Sequence, residues 1–178
     1  MKKRFDFKIL GNKTVFQSLK MRVDRYKIKV PNGNIVEWDA SVAPISYYGV
    51  PVRNGNVIMT KEWRIGPQKV ITQFTTARAT HRSLHKNLEE LKRELKEEMG
   101  LTGGKYDEIV RFIQGSYITG YRVYFKVTDF KLRKTNRDIN EIQEMIELPI
   151  RGLFKRLSRE YNANSSTLLI AKLLEEEL

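Results

Sequence analysis

Cysteine is absent from this chain. That excludes a disulfide framework, a thiolate zinc site and a thiol nucleophile. Histidine is nearly absent too: His81 and His85, in one stretch, are the only two. With no Gly-x-Ser-x-Gly either, a Ser/His/Asp hydrolase is disfavoured. There is no P-loop, because "GGKYDE" lacks the upstream glycine and the Lys-Ser/Thr ending. No apolar run approaches a membrane span, and the basic start "MKKRFDFKIL" lacks the core of a signal peptide. A cytoplasmic location with no membrane partner is expected. Acidic residues are also outnumbered, 21 Asp and Glu against 33 Lys and Arg, which leaves a net charge of +12. Such a surplus suits polyanionic partners or serves as a solubilising surface, and charge alone does not choose between them.

What is present fits one globular domain over residues 1–178, with 40% hydrophobic and 30% charged residues. The first third reads as strands. "MRVDRYKIKV" and "IVEWDA" flank "PNGN", while "SYYGVPV" and "VIMTKEWRI" flank "RNGN". Asn-Gly between β-prone runs predicts a hairpin each time. "VITQF" predicts a further strand, and residues 75–86 an irregular basic loop. Trp38, Trp63 and Tyr121 read as strand packing more readily than as base-stacking platforms.

The period then changes. Leu84, Leu88, Leu91, Leu95 and Met99 trace one helical face, with Asn87 and Glu90 as an N-cap pair and Gly100 as the stop. Strands around "DEIVRFIQ", "YRVYFKVTDF" and "EIQEMIELPI" follow, then helices in "GLFKRLSREY" and "STLLIAKLLEEEL". Strands, one helix, strands and helices make an α+β or mixed α/β class.

The helix over 87–99 carries the chemistry. At an advance of about 100° per residue, Glu90, Glu94, Glu97 and Glu98 share one side while Lys92 and Lys96 point elsewhere. The i,i+4 pairs Glu90–Glu94 and Glu94–Glu98 repel. A hard divalent cation, which takes several carboxylate oxygens, would turn that repulsion into attraction.

"RELKEEMGL" resembles the second half of the Nudix box, G-x5-E-x7-R-E-U-x-E-E-x-G-U, with Arg93, Glu94, Leu95, Glu97, Glu98, Gly100 and Leu101 in register. The resemblance implies a Nudix-like α/β/α sandwich with an N-terminal antiparallel hairpin region. It also implies hydrolysis of a diphosphate linkage in a nucleotide-type substrate with Mg²⁺ or Mn²⁺. Glu94, Glu97 and Glu98 would be metal ligands, Glu97 and Glu98 catalytic, and Arg93 an orienting neighbour. In the first half of the box, His85 stands at the glutamate and Ala79 at the glycine. His85 could be a ligand, a base or a loop residue.

More weakly, "VPNGNIVEWDAS", "VIMTKEWRIG", "EIQEMIELPI" and "SSTLLIAKLL" are similar to segments of ADP-ribose pyrophosphatase-type Nudix enzymes. That makes Arg64 a substrate contact and Glu141 or Glu144 a general base. It makes residues 1–42 dimerising strands of a homodimer and 43–178 the catalytic core. "TTARA" and "QGSYITG" replace that subfamily's usual segments, so ADP-ribose itself is less secure than the reaction type. Arg78 and Arg82 could meet extra phosphates or an RNA 5′ end, or be ordinary surface arginines. The alternative function is a catalytically weakened protein of this fold that grips RNA or a ribonucleoprotein through its basic surface.

Overall fold

The structure is a computed structural model that describes residues 6–19, 21–79, 83–134, 142–160 and 162–177. The chain divides into two compact units, Met1–Ile45 with Phe112–Arg122, and Ser46–Arg111 with Val123–Leu178.

The first unit holds β1 (Lys8–Gln17), β2 (Arg22–Lys29) and β3 (Ile35–Val42), paired antiparallel in sequence order. The expected hairpin at "PNGN" joins β2 to β3, and Val30 and Asn34 bond across the turn. Strands β8 (Leu101–Gly115) and β9 (Ile118–Leu132) lend this unit their adjoining ends. There Ser41 and Val42 pair in parallel with Ile118 and Thr119. Asp24 is buried in β2 and fully engaged. Asn12 Nδ2 and Thr14 Oγ1 each donate to it at 2.9 Å, and the Arg22 guanidinium bonds both its oxygens at 2.8 and 2.6 Å. Trp38 packs on Phe7 with ring centroids 6.2 Å apart, yet stays 47% exposed, as does Trp63 of the second unit.

The second unit is built around β5 (Asn56–Arg64). Strand β4 (Ser46–Arg53) reaches it through the expected Asn54-Gly55 turn, whose residues have φ of 50° and 73°. Both values are positive, as a two-residue hairpin turn requires. Strand β10 (Ile142–Pro149) runs antiparallel along β5, and β6 (Lys69–Gln73) pairs with residues 60–64. The stretch 75–86 is not simply a loop. Thr76–Arg78 form β7, antiparallel to Ser46–Tyr48, and α1 (Leu84–Met99) has begun by residue 84. Its backbone groups are satisfied by β4, a long-range partner that local composition does not reveal.

Helix α1 also starts three residues before the expected cap. Ser83 is its N-cap, and Asn87 lies inside, 4% exposed. The phase explains this: Asn87 falls about 40° from Leu91 on the helical wheel, within the stripe that packs inward. That stripe of Asn87, Leu91, Leu95 and Met99 lies against β4 and β7. Each fully buried leucine contributes roughly 1.5–3 kcal/mol. Gly49 of β4 permits the approach, since a Cβ there would sit 2.7 Å from Leu95 Cδ1. Gly100 ends the helix in the left-handed region (φ 69°), and its amide bonds Leu95 O and Lys96 O. Helices α2 (Leu153–Glu160) and α3 (Ser165–Glu176) pack together. Asn164 caps α3 by accepting from Thr167 N at 2.8 Å. The aromatic core is Tyr47, Phe74, Tyr124 and Phe125. Tyr48 stacks on Tyr124 at 4.4 Å, and the Tyr124 hydroxyl reaches Ser166 Oγ at 2.9 Å.

Candidate active site

The glutamates of α1 do not act as one face. Taking about 100° per residue, Glu98 lies about 20° from Leu91, Glu94 about 60° and Glu97 about 120°. Glu98 is therefore inside the buried stripe, Glu94 at its margin and Glu97 beyond it. Side-chain exposure follows that order, at 27% for Glu94 and 56% for Glu97. Glu98 is half-buried, and its Oε2 is buried without a hydrogen-bond partner.

The sequence expectation that the lysines leave this side uncompensated holds, and Arg93 supplies the cation instead. Lys92 and Lys96 do point away, but Arg93 curls back along the helix surface. It bonds Glu94 Oε1 at 2.5 Å, Glu97 Oε2 at 2.7 Å and Glu90 Oε2 at 3.1 Å. Four residues are one turn of helix, so a long guanidinium side chain spans the gap easily. These contacts raise the arginine's affinity for its proton.

Glu98 faces β5 and the segment between β6 and β7. Burial pushes its carboxyl up to about 7, and the neighbouring carboxylates Glu62 and Glu94 push the same way. Thr75 and Arg64 pull it back in part. Thr75 Oγ1 is itself buried and without a partner in hydrogen-bond geometry, although it lies close enough to moderate Glu98. Glu62 is 5% exposed on β5. Thr60 Oγ1 donates to it at 2.6 Å, and Arg64 Nη2 pairs with its other oxygen. Arg64 Nε also donates to Gln73 Oε1 at 3.3 Å.

The structure thus brings Glu94, Glu98 and Arg64 together. It adds Glu62 and Thr75, which the sequence reading missed. The available signal was strand alternation: Thr60, Glu62 and Arg64 share a parity, and the inward parity of a buried strand is a costly place for a carboxylate.

Other candidates are not brought there. His85 is exposed in the first turn of α1, about 20 Å along the axis from Glu98. It stands one turn from Glu89, which pairs with Lys92 at 2.8 Å. Glu144 sits on β10 directly across from Lys61 and pairs with its Nζ at 2.8 Å. Lys61 and Glu62 are consecutive, so that pair lies on the opposite face of β5. Arg78 is exposed at the end of β7, and Ala79 follows it half-buried. Arg82 and Glu141 lie outside the described residues.

Among the described residues no three carboxylates or imidazoles converge as a ready-made metal cluster. Arg93 explains this, since it turns Glu97 and Glu94 toward itself. The donor set nevertheless suits a hard divalent cation. It is all oxygen, it carries repelling charges, and one buried oxygen is unbonded.

No family model and no curated sequence matches the chain. In three dimensions it is similar to the solved structure of an ADP compounds hydrolase. The TM-score is 0.80 over 97% of this chain and 94% of that one, at 17% sequence identity. Likeness at that identity defines the fold: a Nudix-like mixed α/β arrangement of a large mixed sheet and three described helices. None of the described helices is long and apolar enough to cross a membrane.

Proposed function

We propose that the protein is a Nudix-type hydrolase that cleaves a diphosphate linkage in a nucleoside diphosphate derivative, with Mg²⁺ or Mn²⁺ as cofactor. The observation that carries this reading is Glu98: a carboxylate inside a buried helical stripe, with an unbonded oxygen, beside Glu62 and Glu94. A half-buried position with one oxygen cut off from water is an expensive place for a charge without a task.

Glu98 and Glu94 would hold the cation, with Glu97 in reserve on Arg93 and Glu62 beside them engaged by Thr60 and Arg64. When bound, the cation supplies Lewis-acid polarisation of the phosphoryl oxygens and neutralises their charge. Arg93 fixes the rotamers of Glu94 and Glu97. Arg64, anchored by Glu62 and Gln73, presents its remaining N–H groups to a phosphate oxygen. Arg78 is available to a second phosphate. Glu98 Oε2 has no donor of its own, so it is positioned to accept the proton of the attacking water. The water oxygen bonds to one phosphorus, the bridging P–O bond breaks, and its electrons leave with the second phosphate. The products are two phosphate-bearing fragments, such as a nucleoside monophosphate and a sugar phosphate. The fold likeness to an ADP compounds hydrolase supports a substrate of this class.

The reading includes a homodimer formed through the first unit. Strand β1 is exposed along its whole length and carries Ile9, Leu10, Val15 and Phe16. An apolar strand so exposed is a ready surface for a second copy.

The test is a substrate panel with each metal: ADP-ribose, NADH, FAD, diadenosine polyphosphates, nucleoside triphosphates and capped RNA. Metal-dependent cleavage is expected for at least one, and it is lost in Glu98→Gln. Full activity in both Glu97→Gln and Glu98→Gln would sink the metal assignment.

A further inference from the structure

The side of α1 away from Glu98 carries a second feature. Lys96 is exposed in the last turn of α1 and has no ion pair among the described residues. Gly100 N bonds Lys96 O at 3.0 Å, Arg133 N bonds Gly100 O at 2.9 Å, and Thr102 Oγ1 reaches Lys131 O at 3.4 Å. These contacts gather the end of α1, the start of β8 and the end of β9. They bring the backbone at Lys96 close to the segment that carries Lys131, Arg133 and Lys134. All four are exposed, and none pairs with a carboxylate among the described residues. The acids nearby are already engaged. Glu89 holds Lys92 at 2.8 Å, Asp129 holds Lys105 at 2.8 Å, and Glu97 holds Arg93. The patch therefore keeps its full positive charge, in a chain whose net charge is +12.

Beside it opens a cleft of about 490 Å³, lined by Glu89, Lys92, Arg93, Lys96, Thr102 and Tyr106 among others, with Glu89 held by Lys92 and Arg93 turned to its own glutamates. The Tyr106 ring is half-buried there, and Lys92 Nζ lies 5.4 Å from its centroid. Lys131 lies at the end of β9, and Arg133 and Lys134 follow directly after that strand.

We infer that this surface binds single-stranded nucleic acid, with Lys96, Lys131, Arg133 and Lys134 on successive phosphates and one base seated in the cleft against Tyr106. A cationic track next to an aromatic platform is the combination a single strand requires. A duplex hides its base faces and has no use for the cleft. A polyglutamate has charge for the track but no ring to place in the cleft.

Fluorescence anisotropy with a labelled oligouridylate of about 20 nucleotides tests this in the full chain. No turnover is involved, so the outcome is separate from hydrolysis. Between about 50 and 200 mM salt, four phosphate contacts at about −0.7 each predict a slope of log K against log salt near −3. The quadruple variant Lys96→Gln, Lys131→Gln, Arg133→Gln, Lys134→Gln, with an unchanged melting temperature, should lose at least about tenfold in affinity and most of that slope. Tyr106→Leu should weaken binding with the slope intact. A control that removes the same charge elsewhere, Arg151→Gln, Lys155→Gln, Arg156→Gln, Arg159→Gln, should bind nearly as the parent does. No binding by the parent at low salt overturns the inference. So does equal loss in both quadruple variants, or competition by polyglutamate or duplex as effective as by the single strand.

Discussion

Glu98 shows how one residue can carry two conflicting demands. Its helical phase puts it in the core, and its chemistry wants water or a cation. Burial among Glu62 and Glu94 raises its carboxyl to about 7. Glu98→Gln should therefore stabilise the metal-free protein, on the order of 1 kcal/mol. Thermal melts with chelator check the gain. The same melts with added Mg²⁺ or Mn²⁺ should show a stabilising shift in the parent that disappears in the variant. Asp24 is the reverse case. The Arg22 guanidinium, assisted by Thr14 and Asn12, holds its carboxyl down from 3.8 to about 2 despite burial. A depressed folded-state value means that its contribution is complete above pH 3.8 and is lost as the pH falls toward 2. Chemical denaturation at falling pH should show this loss in the parent, and Asp24→Asn should flatten it.

Helix α1 is the element on which the site depends, and its C-terminal stop sets where β8 begins. A Cβ at Gly100 would lie 1.9 Å from Arg133 O, and the backbone there has φ of 69°. Gly100→Ala should cost about 3 kcal/mol, because both strain and clash oppose it and the obstacle is backbone. Denaturant unfolding measures that loss. Both Asn-Gly hairpins, the stop at Gly100 and the two closing helices were legible in the sequence, because turn chemistry and apolar period are local. The start of α1 and strand β7 were not. Asn87 looks like a cap by composition, but packing makes it an interior residue. Thr76–Arg78 become a strand only because β4 lies alongside.

For the whole molecule, the first unit exposes apolar side chains on β1 that no described element covers. Sedimentation should report a dimer, and Phe16→Asp should shift it to monomer with activity per chain largely retained. A monomeric parent at micromolar concentration would remove the dimer from the proposed function.

The sequence by itself determined the α+β class, the order of the elements after residue 20 apart from β7, and the run of glutamates on one helix. It also carried Arg93 at i−3, i+1 and i+4 spacing from Glu90, Glu94 and Glu97. These are properties of neighbours along the chain, and repeat period expresses them directly. The tertiary structure decided which glutamate turns inward. It decided that Glu62 and Thr75 meet Glu98, and that His85 and Glu144 stand away from it. Those outcomes depend on β5, the β6–β7 segment and α1 packing against one another. Contacts between segments far apart in sequence are set by the shape and burial of the folded core, which no local pattern contains.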